Sequence, residues 1–243
     1  MPARSKLRLA EQTALITGAT RGIGLAIARA LANEGCNLIV TARDEQSLSR
    51  LNKELARKKV RVLAHPCDVR DPHSVDDLFR AVRREFRNLD ILINNAGIAH
   101  ANLRVDQLPY PVWRDVFATN VDGTFLITQA ALGMMKHGAT IVNNLSIAAT
   151  RVFAGSAAYN ASKHAALGLT NTLREELRSR GIRVIGLLPG ATDTDIWKTL
   201  WPQAPRKKMM SAETVAQAVL EAILLPPNAT VENLEILPTA GTL

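Results

Sequence analysis

The chain has 243 residues, with 47% hydrophobic and 4% aromatic side chains, two cysteines and a net charge of +8. That length and apolar content suit a large α/β core and exclude an intrinsically disordered chain. No apolar run approaches the roughly 20 residues of a membrane-spanning helix, so no membrane partner is expected.

The first nine residues, Met1–Leu9, are basic but lack the apolar stretch of a secretory signal. Cys36 and Cys67 are too few to staple a chain of this size. Free thiols in a reducing, cytoplasmic setting are expected. The positive charge suits either nucleic acid or an anionic cofactor. The cations are scattered over expected helix faces (Arg29, Arg50, Lys53, Arg80, Arg83, Arg87) without interleaved stacking aromatics. Solvated helix faces are the expectation, and no nucleic-acid partner.

In chain order, a first expected strand, Thr13–Thr17, runs into Gly18-Ala-Thr-Arg-Gly22-Ile-Gly24 and then a helical pattern, Ile23–Glu34. A strand, a glycine-rich turn and a helix start make a phosphate cradle. The spacing is G-x-x-x-G-x-G rather than G-x-G-x-x-G, and a purely structural turn stays open on this motif alone. Further strands are expected at Asn37–Ala42, Arg61–His65, Ile91–Asn94, Thr140–Leu145, Arg183–Leu188 and Leu234–Leu237. Between them the helical patterns are Glu45–Lys58, Pro72–Phe86, Pro111–Met135, Ala157–Ser179 and Ser211–Leu224. Gly35 and Gly181 stand just past helix ends, and Ser211 reads as an N-cap with Glu213 in the first turn. The alternation argues for βαβ units, right-handed crossovers and a doubly wound α/β sheet of Rossmann type. Without a repeat or linker, residues 1–243 are expected to form a single domain.

The chemistry concentrates in Ser156-Ala-Ala-Tyr-Asn-Ala-Ser-Lys163. Tyr159 and Lys163 are four apart and share a helix face. A free tyrosine titrates near ~10, and an ammonium beside it stabilises the phenolate. Ser146, thirteen residues before the tyrosine at a strand end, can hold a carbonyl oxygen beside the phenol. These are the parts of a proton-transfer site for a carbonyl/alcohol pair. The other half of such a reaction is a hydride, which a nicotinamide cofactor carries and side chains do not.

Taken together, Thr17-Gly-x-x-x-Gly-Ile-Gly24, Asn94-Asn-Ala-Gly97, Asn120, Ser146, Tyr159-x-x-x-Lys163 and Pro189-Gly190 resemble the short-chain dehydrogenase/reductase family in order and spacing. The resemblance spans roughly residues 10 to 240 and points to carbonyl and 3-oxoacyl reductases. It implies a seven-stranded parallel sheet in the order 3-2-1-4-5-6-7. It implies Asn120, Ser146, Tyr159 and Lys163 as the catalytic set, with Asn120 holding a water that links the lysine to solvent. A helix-packing role for Asn120 stays open, as does a kink, since asparagine is a poor helix former.

For the cofactor, the resemblance implies contacts from Gly18, Thr20, Arg21, Gly22, Ile23 and Gly24, and from Tyr159 and Lys163. Asn95, Ala96 and Gly97 would line a ribose, and Asp68 and Val69 the adenine, although Asp68 can also be read as an N-cap. Pro189, Gly190, Thr192 and Thr194 would cover the nicotinamide. Ala42 stands where an NAD-binding chain places an acid, and Arg43 with Arg21 can meet a 2′-phosphate. NADP(H) is therefore expected ahead of NAD(H).

The segment Ile196-Trp-Lys-Thr-Leu-Trp201 reads as part of a substrate lid over about residues 192–210, or equally as core or dimer contact. Arg206-Lys-Lys208 reads as surface, with an acidic carrier as the alternative. None of the five histidines has ligand spacing, so no metal site is expected. Small residues on Ala157–Ser179 suit a homodimer or homotetramer, or packing on the sheet. The rival reading is a non-catalytic nucleotide-binding sensor. Retention of both Tyr159 and Lys163 argues against it. One departure has no sequence-level account: Asn144 and Leu145 stand where the family often carries an apolar residue and a second serine.

Overall fold

Apolar runs bounded by turns become strands here, and all of them pair in parallel. In the computed structural model, which describes residues 7–242, these are β1 (Thr13–Thr17), β2 (Asn37–Ala42), β3 (Val62–Pro66), β4 (Ile91–Asn94), β5 (Thr140–Asn144), β6 (Arg183–Pro189) and β7 (Asn233–Ile236). They form one seven-stranded sheet in the order β3-β2-β1-β4-β5-β6-β7, the order the resemblance implied. Leu15 pairs with Ile39 on one side and Leu92 on the other. Every residue of β1 and β4 is buried, as a parallel sheet covered on both faces requires. The basic residues before Leu7 lie outside the described residues.

The helices are α1 (Gly22–Asn33), α2 (Glu45–Leu55), α3 (Pro72–Glu85), α4 (Tyr110–Phe117), α5 (Gly123–Leu132), α6 (Ala157–Arg178), the short α7 (Trp197–Leu200) and α8 (Ala212–Ile223). Strand alternation sorts them into two layers. Ile16 and Val40 face Ile27 and Leu31 of α1, Leu48 of α2 and Val219 of α8. Their neighbours Leu15 and Ile39 face Phe79 of α3, Ile127 of α5 and Leu173 of α6. Three helix starts, those of α2, α3 and α8, are closed by a side chain. Asp44 accepts from Ser47 N, Asp71 from His73 N, and Ser211 from Thr214 N. Gly35 (φ 84°) and Gly181 (φ 64°) end α1 and α6 in the left-handed region, as expected.

The structure corrects the single long helix Pro111–Met135. A π turn, Ala118–Asp122, separates α4 from α5, and α5 stops at Leu132. Its cause lies at Asn120, whose side chain leaves the helix to bond Ile98 N and Ile98 O, both at 2.9 Å. Thr119 and Thr124 hydroxyls bond carbonyls four residues back on either side of it. Such insertions and back-bonds widen a helical turn. Smaller shifts affect other ends. The helix after β2 closes with a separate 3₁₀ turn, Ala56–Lys58, β3 and β7 start one residue away from the expected positions, and β6 runs through Pro189.

Candidate active site

Strand order reverses between β1 and β4, and the crevice outside those carboxyl ends is the ligand position of open α/β sheets. A cleft of about 1270 Å³ opens there, lined by the loops after β1 to β6. Gly18, Thr20, Arg21, Gly22, Ile23, Arg43, Asp68, Val69, Asn95, Ala96, Gly97, Ser146, Tyr159, Lys163, Pro189, Gly190, Thr192 and Thr194 all reach its wall. Gly24 and Asn120 do not; they stand behind it.

At one end the start of α1 faces the cleft. Its N-cap, Arg21, makes no side-chain cap bond, and no acid stands in its first turn. The N–H groups left open make an anion site. Gly18 (φ 61°) and Gly22 (φ 54°) take left-handed turns there. Gly24 lies off the cleft wall. A Cβ on it would lie 2.3 Å from Asn95 Nδ2 and 2.5 Å from Gly18 O, so its bareness lets α1 close on Asn95. Arg21 and Arg43 are exposed, and among the described residues neither has an ion-pair partner. An open helix start and two unpaired guanidiniums fit a dinucleotide with a further phosphate.

Asp68 is not the cap of α3; that is Asp71. Instead Arg70 grips its carboxylate, with Nε at 3.0 Å from both oxygens and Nη2 at 2.6 Å from one. This bonding holds the Asp68 carboxyl below its ordinary range. Arg70 also reaches Asp115 of α4 at 2.5 Å, so the far wall is braced by a charge triad that sequence spacing did not reveal.

At the middle of the cleft, α6 presents Tyr159 and Lys163 side by side, the ammonium 5.6 Å from the phenol ring centroid. Burial pushes the Tyr159 phenol up, and the Ser146 hydroxyl beside it opposes part of that rise. Burial also pushes Lys163 down, to about 8. Lys163 Nζ donates to Asn144 O at 2.9 Å. Ser146 Oγ accepts from Ala148 N at 3.1 Å, which leaves its own proton to give. Asn120 Nδ2 is spent on Ile98 O and on Ser162 Oγ at 3.0 Å, so this side chain fixes the loop after β4 against α6. A Cβ on Gly97 would come within 3.3 Å of Asn120 Oδ1 and 3.7 Å of Lys163 Nζ, so only a bare backbone separates that asparagine from the lysine.

Beyond the tyrosine the wall turns apolar: Val152, Phe153, Ile196, Trp197, Leu200 and Trp201. Both tryptophans line the cleft. Trp197 is pinned by its indole N–H to Thr192 O at 2.8 Å, while Trp201 is 43% exposed at the rim. Arg206 is tied to Asp193, and Lys198 to Asp195 at 2.5 Å. Among the described residues the only cations on the cleft wall are Arg21, Arg43 and Lys163.

The sequence reading also missed a polar ladder at the strand ends. Asn94 Nδ2 bonds Asn143 Oδ1 at 2.9 Å and Thr128 Oγ1 at 2.8 Å, and Asn143 Nδ2 bonds Thr170 Oγ1 at 2.9 Å. Thr17 Oγ1 accepts from both Asn95 N and Ala96 N at 2.9 Å. The signal was present as paired asparagines at two strand ends, but their partners are remote in sequence.

A doubly wound parallel sheet with an open helix start, a phenol and an ammonium at its switch point defines a class of nucleotide-dependent α/β oxidoreductases. A family model described as short chain dehydrogenase matches residues 12–205, and the chain belongs to that family. It is 35% identical over 236 residues to sulfoacetaldehyde reductase 2 of Chromohalobacter salexigens, covering 93% of each chain. Among solved structures it is similar to an alcohol dehydrogenase of Thermococcus sibiricus complexed with 5-hydroxy-NADP, with a TM-score of 0.88 and 30% identity over 94% of this chain and 97% of that one. A short chain dehydrogenase of Burkholderia cenocepacia in complex with NADP gives 0.87 and 32%, over 96% and 99%.

Proposed function

We propose that the chain is an NADP(H)-dependent reductase of neutral carbonyl compounds and, in reverse, a dehydrogenase of the matching alcohols. Residues 1–243 act as one dinucleotide-binding domain, with about 192–210 as the substrate lid. The observation that carries this reading is the side-by-side placement of Tyr159, Lys163 and Ser146 in a cleft whose other end is an uncapped helix start.

Gly18, Thr20, Gly22 and Ile23 seat the pyrophosphate at α1, and Arg21 and Arg43 take the 2′-phosphate. Asp68 and Val69 wall the adenine, Asn95, Ala96 and Gly97 the ribose, and Pro189, Gly190, Thr192 and Thr194 the nicotinamide. When bound, the nicotinamide supplies or receives the hydride. Ser146 Oγ donates to the substrate oxygen and holds it beside the phenol. Tyr159 gives that oxygen its proton in reduction and takes it back in oxidation. The Lys163 ammonium stabilises the phenolate left behind and holds a ribose hydroxyl. Asn120 fixes the loop beside the lysine, and its π-turn backbone leads the proton path outward.

The apolar wall and the tied charges beside it favour a neutral carbonyl over an acidic one. NADPH oxidation by the purified protein across simple aryl and alkyl ketones, 3-oxoacyl thioesters, sugars and sulfoacetaldehyde tests the reading. Turnover with an apolar ketone, lost in Tyr159→Phe, supports it. NADPH binding without turnover on any of these would instead indicate a nucleotide sensor. The α4–α5 and α6 faces are proposed as the surface of a homodimer or homotetramer. Phe125 is 46% exposed there, and Ala165 and Gly168 are exposed on α6. A sedimentation mass near the monomer's 26.4 kDa would refute the assembly.

A further inference from the structure

We propose that Asn144 is a positioning residue that couples the cofactor cradle to the proton-transfer site. The inference rests on the roles given above to Tyr159 and Lys163.

β4 and β5 pair Asn94 with Asn143, so Asn95 and Asn144 form the next rung, where the strands give way to the cleft. Side chains alternate across a sheet. The first rung accordingly braces the layer of α5 and α6 through Thr128 and Thr170. The second rung faces the other way. Asn144 Nδ2 donates to Asn95 Oδ1 at 2.8 Å. Asn95 Nδ2 in turn donates to Thr17 O and Gly18 O, both at 3.0 Å, at the first glycine of the cradle. The backbone carbonyl of the same Asn144 accepts from Lys163 Nζ at 2.9 Å. One residue thus joins the glycine-rich turn, through Asn95, to the ammonium that serves the phenol.

The energetics point the same way. Asn144 Oδ1 is buried and has no partner among the described residues. An orphaned buried acceptor costs stability that an apolar side chain at this strand end would not. The polar residue therefore carries a desolvation cost, set against the single side-chain bond that it makes, to Asn95. What it provides in return is the link: a buried ammonium holds its charge only against a fixed acceptor, and Asn95 fixes that acceptor from its side-chain end.

The test is Asn144→Val in the whole enzyme, read by NADPH fluorescence titration, thermal melting and the pH profile of carbonyl reduction. NADPH binding is expected to weaken about tenfold, or about 1.4 kcal/mol, with Tm held within about 3 °C. The upper limb of the kcat/KM profile moves to lower pH, because a less firmly held carbonyl supports the Lys163 charge less well. Asn95→Ala gives a similar loss of binding. The double variant is no worse than the poorer single one, since both cut the same link. Unchanged binding and pH profile in Asn144→Val would overturn the proposal, as would additive losses in the double variant. So would a Tm drop beyond about 8 °C with activity falling in proportion. Full turnover by Tyr159→Phe would sink the catalytic roles instead, and the binding arm reads independently of it.

Discussion

The two ends of the cleft treat charge in opposite ways. At the cofactor end, Arg21 and Arg43 have no carboxylate partner among the described residues, and α1 begins without a cap. At the substrate end the wall carries Ile196, Trp197, Leu200 and Trp201, and the nearby cations Lys198 and Arg206 lie off it, tied to Asp195 and Asp193. Three other helix starts, those of α2, α3 and α8, are capped by Asp44, Asp71 and Ser211. A cap is worth ~1 kcal/mol, so leaving α1 open has a cost. Groups left unpaired at one end are open to a ligand's charge; at the other end the nearby charges are already paired.

The largest break in this arrangement is at its centre. Tyr159→Phe keeps the ring and removes the proton, and kcat/KM for reduction is expected to fall by about 10³-fold while NADPH still binds. Retained turnover in steady-state assays would end the acid/base assignment. Lys163→Met should lose activity on the same scale yet stabilise the fold at pH 7. The sign follows from linkage. Burial holds Lys163 at about 8, whereas an unfolded lysine titrates near ~10.4. Between those values the unfolded state binds more protons, so stability of the wild type rises with pH across that window. The cost of Lys163 is full below pH 8 and gone above about pH 10.4. The Tm gain of Lys163→Met, followed by calorimetry, should therefore shrink as pH climbs from 8 to 10. A gain that is flat with pH would contradict the buried ammonium.

A smaller effect tests the cofactor end alone. Arg43→Ala should weaken NADPH binding about tenfold or more, the worth of a charge-assisted bond to a phosphate. NADH binding should stay as it was, because NADH has no 2′-phosphate to lose. Equal weakening of both cofactors in paired titrations would place Arg43 outside the phosphate site.

How much of this was legible in the sequence depends on how local the cause is. Strands such as Thr13–Thr17 and Ile91–Asn94 were readable to the residue, because apolar runs bounded by Gly or Asn fix both type and ends. Tyr159 and Lys163 were readable because four residues make one helical turn. Asn120 was readable as a disturbance, but not as a π turn, because its cause is the backbone of Ile98, 22 residues earlier. Asp68 was placed at the cleft without its Arg70–Asp115 brace, and that last contact spans 45 residues. Asn144 had no account at all until the structure set it against Asn95, 49 residues away. Gly24 was legible as part of the glycine motif, but not the crowding of Asn95 against it behind the wall, 71 residues away in sequence. Composition and period report the surroundings a residue needs; they do not report which distant side chain provides them.

The smallest expected effect sits at the substrate end and separates shape from charge there. Trp197 is held by its bond to Thr192 O, so its loss would move the lid as well as the wall. Trp201 lines the same cleft with 43% of its surface exposed, and its removal leaves the lid's backbone bonds in place. A bulky apolar ketone that covers part of this ring loses about one CH₂ equivalent of burial in Trp201→Ala, about 1 kcal/mol or a several-fold rise in KM. A short hydroxylated aldehyde does not reach the rim and should keep its KM. The ratio of the two is the measurement, since it cancels any general loss of active enzyme. If both substrates weaken alike, the apolar wall acts on lid closure rather than on the substrate, and the contrast between the two ends of the cleft would reduce to charge alone.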